Sequence, residues 1–427
     1  RVTFNQDIGL WNTNSVTDLN SMFNGCTSFN QNVSTKYDYF SNSLSWDVSG
    51  VTDKQQIFLN ANAFNNGDSA GQSNNPLNWN IGPAINLQQM FSGCTNFNQP
   101  IDFTNVIIDM SGGNTYQYKQ WDVSGVEKMG QLFRGCSSFN QSISKWNTQN
   151  VKVMNEMFKG CTNFNQDLTT IFRTNATPAY ISWNMENVEQ MYEFLMNATS
   201  FNNGDISGQS NNSLNWNINS VQSDKCYGLF KNASSFNQDV ATTDYQFNLG
   251  SASYDWLSFD VSGINDFHDM FNGASLFNQN IRDWEVDSGD ITTNMFKNSL
   301  IVSDDNYVYI PNGWASLTEG TPNNVVFFSN IAPVFPAYNF TPANSVDFMN
   351  GIKYYFKQTT NLPNGTQNNA TVETVGNYDN SYAISIEHWD TKNVTDMSGT
   401  FDILGGNLFN KNISTKVVNN KNLLPEV

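Results

Sequence analysis

The chain has 427 residues, with 38 Asp and Glu against 20 Lys and Arg, for a net charge of −18. That balance excludes proteins that work by neutralising phosphates, whether nucleic-acid binders or proteins held on anionic membrane surfaces. No uninterrupted apolar run of about eighteen residues occurs, so no transmembrane helix is predicted, and no signal peptide is visible.

The chain enters its repeat in mid-motif at Phe4-Asn5-Gln6, which predicts a processed product or a piece of something longer. The first whole unit starts at Trp11. Trp11 and Thr13 alternate with polar residues, as do Trp46-Asp47-Val48, Trp79-Asn80-Ile81 and Trp121-Asp122-Val123. A period of two predicts a short strand. Val16, Leu19, Met22, Phe23, Cys26 and Phe29 follow in steps of three and four, which predicts one face of a short helix or of successive 3₁₀ turns. A turn and a second extended piece, Phe-Asn-Gln, close the unit. From Trp to this Phe is 18 residues for Trp11, Trp46, Trp79, Trp121, Trp146, Trp183 and Phe259, and 20 for Trp216 and Trp389. One unit cannot bury its own apolar face, so the units are expected to stack. The predicted fold is an α/β solenoid of leucine-rich-repeat-like coils, roughly 25 residues each plus variable inserts.

A second period lies above the first. The linkers from each Phe to the next Trp run 7, 17, 15 and 24 residues, then 7, 19, 15 and 23, then 7 again. The loop at 66–81 also returns almost unchanged at 203–218. Four coils therefore form a super-repeat, and three super-repeats give roughly twelve coils. The expected boundaries are 1–138, 139–276 and 277–408, with 409–427 as the start of a further repeat or a tail. In the third super-repeat Trp284 opens a coil, weak coils fall at Trp314 and Phe340 within the degenerate stretch 300–383, and a clear one returns at Trp389. A further unit begins at Phe409, with Lys416 where Trp is expected.

Stacking predicts a core column of Trp11, Trp46, Trp79, Trp121, Trp146, Trp183, Trp216, Trp284 and Trp389. Cys26, Cys94, Cys136 and Cys161 share one slot that other coils fill with Ala61, Ala198, Ala233 or Ala274, which reads as a small buried site for reduced thiols. The Asn of each Phe-Asn pair recurs as Asn30, Asn65, Asn98, Asn140, Asn165, Asn202, Asn237 and Asn278. This row is expected to form an inward structural ladder whose amides satisfy backbone groups of the turns; a row of ligand-binding amides is the other reading.

The pattern W-[DN]-V-S-x-V-x-x-M-x-x-M-F-x-x-C-x-x-F-N-Q-x-I stands nearly intact at 46–64, 121–143, 146–168, 259–281 and 389–413. These motifs resemble the BspA-like bacterial surface protein repeats, which are related to leucine-rich repeats, over roughly 4–300 and 384–416. The family occurs on the surfaces of bacteria, including mycoplasmas, and of some protists, and in some large viruses. The resemblance implies an exposed protein for attachment or a coat, at a cell or virion surface, and implies no catalytic residues.

Signals for chemistry are sparse. The two histidines, His268 and His388, lie far apart without a Cys or second His at metal-ligand spacing, so no metal site is predicted. No nucleophile elbow or phosphate loop occurs. The carboxylate pairs Asp304/Asp305, Asp287/Asp290 and Asp266/Asp269 are the candidates for a polysaccharide-active enzyme, the least favoured reading. Asp47, Asp122, Asp260 and Asp390 alternate with Asn after the Trp and read as strand-edge residues. The loop around Asp68 offers oxygen ligands for calcium but reads first as a hydrophilic turn. Eleven N-x-S/T sequons, among them Asn175, Asn197, Asn232 and Asn369, permit glycosylation only in a eukaryotic setting. Tyr116, Tyr118, Tyr245 and Tyr254 cluster in the long inserts of corresponding coils and are candidate interface residues. The inserts fall at one point of the coil and recur in order of length. The expectation is an extracellular repeat protein that forms a fibre or coat with copies of itself. The alternative is a polyvalent module, as in a virion fibre, for host glycans or surface proteins.

Overall fold

The computed structural model describes residues 3–249 and 252–300, apart from 280, 282, 283 and 285–289, together with 417–418 and 421–422. It divides into two compact bodies, Arg1–Ile331 and Ala332–Val427. In the second, β9 (Val417–Val418) pairs antiparallel with β10 (Lys421–Asn422). Trp314, Phe340, Trp389, Phe409, Lys416, His388, Asp390, Asn369 and the pairs Asp304/Asp305 and Asp287/Asp290 involve residues outside those described, Asp290 excepted.

In the first body, successive units lie one on another in register. Parallel bridges run Asp53 to Asn86, Asn86 to Lys128, Lys128 to Val153 and Val153 to Gln190. The apolar positions become continuous columns. Phe23, Phe58, Phe91, Phe133 and Phe158 stack ring over ring at 5.5–5.7 Å. A parallel column of Phe29, Phe64, Phe97, Phe139, Phe164, Phe201, Phe236 and Phe277 stacks at 5.8–6.0 Å. Trp46, Trp79, Trp121, Trp146, Trp183, Trp216 and Trp284 are fully buried. Each indole Nε1 donates to a carbonyl of the preceding unit, at Ile8, Val33, Leu77, Ile101, Ile143, Leu168 and Val240 respectively, over 2.5–3.0 Å. A buried indole needs this partner, and the bond ties unit to unit. Trp11 departs from the expected core column: it is half exposed, because among the described residues no unit covers its outer face.

The segment expected as a short helix or successive 3₁₀ turns holds no helix, and there is no α-helix among the described residues. It is a chain of tight turns whose N–H groups alternate in direction. The N–H groups of Lys54, Gln56, Phe58 and Asn60 donate to the carbonyls of Asn86, Gln88, Met90 and Ser92 in the next unit at 2.7–3.0 Å. Those of Leu59 and Ala61 turn back three residues, to Gln56 and Phe58. Every second donor thus builds the stack and the others close turns, which leaves few backbone groups open. Turns of this kind need φ > 0 at their third position. In the turn before the Cys/Ala slot that position holds Gly25, Asn60, Gly93, Gly135, Gly160, Asn197, Asn232, Gly273 and Asn298, all with φ between 57° and 79°. Only residues that tolerate the left-handed region occur there. Gly25→Ala should therefore cost about 1 kcal/mol in denaturant unfolding, and Gly25→Asn clearly less. Gly93→Ala should cost more, since its new Cβ would stand 2.6 Å from Asn60 Oδ1, whereas nothing lies within 4 Å at Gly25.

The short strand expected at each Trp reduces to a single bond, as from the Trp46 N–H to the Trp11 carbonyl at 3.0 Å. The Asp or Asn after the Trp is no strand-edge residue either. Its side chain accepts the N–H two residues on, from Ser49 to Asp47, Ser124 to Asp122, Gln149 to Asn147 and Ser262 to Asp260, at 3.0–3.2 Å. This is an Asx turn, which Asp and Asn make equally well.

The Cys slot is closed to solvent. Cys26, Cys94, Cys136, Cys161 and Cys226 are all buried and unpaired. Cys94, Cys136 and Cys161 each direct Sγ at a carbonyl of the preceding unit, at 2.9–3.1 Å. Burial pushes the Cys94, Cys136 and Cys161 thiols far up, and the Cys226 thiol up to about 12. A thiol-exchange reagent should accordingly leave the folded protein nearly untouched and titrate all five cysteines in denaturant. Rapid reaction of the folded protein would contradict this packing.

Candidate interaction face

The inserts are built on two plans. The four long ones are antiparallel hairpins: β1 (Lys36–Asp38) with β2 (Ser43–Ser45), β3 (Thr104–Asp109) with β4 (Thr115–Gln120), β5 (Ile171–Arg173) with β6 (Tyr180–Ser182), and β7 (Thr243–Leu249) with β8 (Ala252–Ser258). They occur on every second unit. Sheets packed face to face need ~10 Å, about twice the ~4.8 Å between paired strands, so two adjacent units could not both carry a hairpin at this point. The alternation of long and short linkers follows from that.

Each hairpin delivers its chain back to the core through an aromatic residue in the left-handed region: Trp46, Trp121, Trp183 and Phe259 have φ of 44–49°. Aromatic residues are strained there. A threonine at the hairpin base braces three of them, with the Oγ1 of Thr35, Thr170 and Thr242 donating to the carbonyls of Trp46, Trp183 and Phe259 at 2.8–2.9 Å.

A second device fixes the hairpin against the preceding unit. Three residues before the core aromatic stand Tyr118, Tyr180 and Trp256. Their side chains donate to the carbonyls of Asn78, Lys145 and Asn215, each the residue just before a Trp. Burial raises the hydroxyl pKa of both Tyr118 and Tyr180. Tyr118 is thus an anchor rather than a free contact. Tyr116 packs on it at 5.2 Å and Tyr245 stacks on Trp256 at 5.7 Å. Tyr254 pairs with Phe247 across the β7–β8 ladder, and its side chain lies outside the described residues. The hairpins also touch one another. Tyr37 Oη lies 2.6 Å from Ser111 Oγ, Phe103 meets Tyr180 edge-on at 6.0 Å, and Phe172 stacks on Trp256 at 5.7 Å. The flank is therefore a continuous wall, with Tyr39, Phe40 and Ile107 left exposed.

The remaining inserts, after Asn65 and Asn202, are hydrophilic loops with identical internal bonding. The Asp68 carboxylate accepts N–H groups of Ser69 and Asn74 and the Asn74 amide at 2.8–3.0 Å, and Asp205 does the same with Ile206 and Asn211 at 2.7–2.9 Å. These donors hold both carboxyls below the usual range. A carboxylate ringed by N–H groups faces donors rather than a cation, so the geometry closes a turn. No metal-binding cluster occurs among the described residues.

The loops close over the asparagine row. The side-chain oxygen of each Asn accepts the backbone N–H of the next, from Asn5 through Asn30, Asn65, Asn98, Asn140, Asn165, Asn202 and Asn237 to Asn278, at 2.7–2.9 Å. Loop carbonyls take the amides of Asn30, Asn65, Asn98, Asn165, Asn202 and Asn237. The row lies at the rim of the core instead of inside it: Asn65 and Asn202 are buried beneath the loops and Asn140, between them, is exposed.

Of the candidate acid pairs only Asp266/Asp269 lies wholly within the described residues, and each carboxylate faces a basic partner. Asp266 accepts from His268 Nδ1 at 2.6 Å, and Asp269 pairs with Lys231 at 2.5 Å. His268 also stacks on Tyr227 at 4.3 Å. Asn197 and Asn232, both in sequons, bond amide to amide at 2.8 Å. No helix among the described residues is long and apolar enough to cross a membrane.

A family model described as "Mycoplasma protein of unknown function, DUF285" matches residues 1–103, 103–243, 251–309 and 350–423. No curated protein and no solved structure matches the chain.

Proposed function

Since the chain belongs to the DUF285 family and is a tandem repeat throughout its matched length, we propose that it is a leucine-rich-repeat-related solenoid, similar to the BspA-like repeats, that acts as a surface-exposed structural protein. In this reading copies associate through the hairpin flank into a fibre or coat. The observation that carries it is the hairpin wall itself. Folding needs only the short connection seen between Phe139 and Trp146, yet four hairpins recur on alternate units, and three of them are anchored back on the unit before. Solvent-facing sheets fixed in position at this cost in chain ordering suit repeated contact with a partner of the same period. Exposed Tyr39 and Phe40 at the β1–β2 turn favour a second reading, a polyvalent receptor for glycans or host proteins. The test replaces residues 98–120 by the short connection of 140–145. Loss of association in a protein that still unfolds cooperatively supports assembly through the flank, whereas unchanged association removes the hairpins from it.

A further inference from the structure

Charge is distributed unevenly along the described body. Residues 102–173 carry seven Lys and Arg against six Asp and Glu, whereas 174–279 carry eleven Asp and Glu against two Lys. The contrast is sharpest on the hairpin flank. Where β3–β4 meets β5–β6, Lys119 lies over the Phe103 ring at 5.2 Å and Phe103 meets Tyr180 at 6.0 Å. Tyr180 donates to the Lys145 carbonyl at 2.9 Å and Arg173 to the Ser144 carbonyl at 2.7 Å. Lys119, Lys145 and Arg173 therefore stand around one point, where Asp102 lies 3.8 Å from Lys145 Nζ. One four-unit period later, β7–β8 occupies the place of β3–β4 and presents exposed Asp244 and Asp255. No Lys or Arg occurs between Asn232 and Ile281.

We propose that these two surfaces are the contact between copies. Two chains lie side by side, shifted by one four-unit period, so that the basic cluster of one faces the acidic β7–β8 hairpin of the other. The proposal rests on the self-assembly reading and adds its register. At a net charge of −18 copies repel in most arrangements. An unshifted pair sets like against like. A shift of four units sets β3–β4 of one copy opposite β7–β8 of the other and exchanges like charges for opposite ones, which selects that register.

The test measures association of the full chain by sedimentation velocity, at about 20 mM and about 500 mM salt, where screening differs several-fold in range. Association should weaken at the higher salt. Lys119→Glu alone, and Asp244→Lys with Asp255→Lys, should each weaken it on the order of tenfold at low salt. A mixture of the two variants should recover it, since each then offers the charge that the other lacks. Circular dichroism and thermal melting establish that both variants fold. If the variants associate like the parent, or if mixing restores nothing, the shifted contact is wrong while assembly itself stands. If the parent stays monomeric at every salt and concentration, the assembly reading fails with it. Binding of polyphosphate to a monomeric parent, lost in Lys119→Glu, would instead assign the basic cluster to a polyanion.

Discussion

Lys54→Met should stabilise the protein at neutral pH by about 2–3 kcal/mol, in urea or thermal unfolding. Lys54 is fully buried and sits in a core slot that other units fill with Leu19, Leu87, Met129, Met154 and Met191. Its Nζ donates to the Val51 carbonyl. Burial lowers its pKa from 10.5 to about 8, with Asp47 acting the other way. A displacement of that size corresponds to ~3 kcal/mol against the charged folded state. The folded pKa lies below the unfolded one, so the cost is complete below pH 8 and is relieved as pH rises towards 10.5, where the unfolded chain still binds the proton that the folded one has lost. The advantage of the Met variant should therefore be largest at pH 7 and shrink steadily up to pH 10. A variant less stable than the parent at pH 7, or an advantage independent of pH, would place the ammonium in a solvated site.

Asn65→Ala should cost on the order of 3 kcal/mol, and Asn140→Ala no more than about 1 kcal/mol, although both belong to one row. Asn65 is buried. Its oxygen accepts from Asn98 N at 2.8 Å and Gln99 Nε2 at 3.0 Å, and its amide donates to the Ser69 and Gln72 carbonyls. Truncation leaves these groups without partners and without water. Asn140 makes the equivalent acceptor bonds, to Asn165 N at 2.9 Å and Gln166 Nε2 at 2.7 Å, but it is exposed and water replaces it. Equal costs at the two positions would mean that the loops do not seal the row. Asn202→Ala, one period on, should behave like Asn65→Ala.

The stacked repeat was legible in the sequence because burial imposes it: a Trp or Phe that must cover the same residue in the next unit cannot drift in spacing. The hairpins were legible only as lengths. The turns stood as one of two readings because steps of three and four are common to a helix and to consecutive three-residue turns. The deciding signal was present at Gly25, Asn60, Gly93 and their equivalents, where Gly exchanges with Asn alone. No helical position favours that exchange, but a left-handed one does. The exchange of Asp47 and Asp122 with Asn80 and Asn147 likewise pointed to Asx turns. Tyr118, Tyr180 and Trp256 share one distance from the next core aromatic, a regularity hidden by the differing lengths of their hairpins. Lys54 stands at a position that other units give to Leu or Met. Its burial follows from the columns above and below it, which only the stack reveals.

The most direct test of assembly through the hairpin flank is electron microscopy of the full-length protein at rising concentration. The account predicts filaments or a lattice with a repeat of about 20 Å, four units at strand spacing. Separate single particles at every concentration would contradict it and leave the hairpin wall to a foreign ligand.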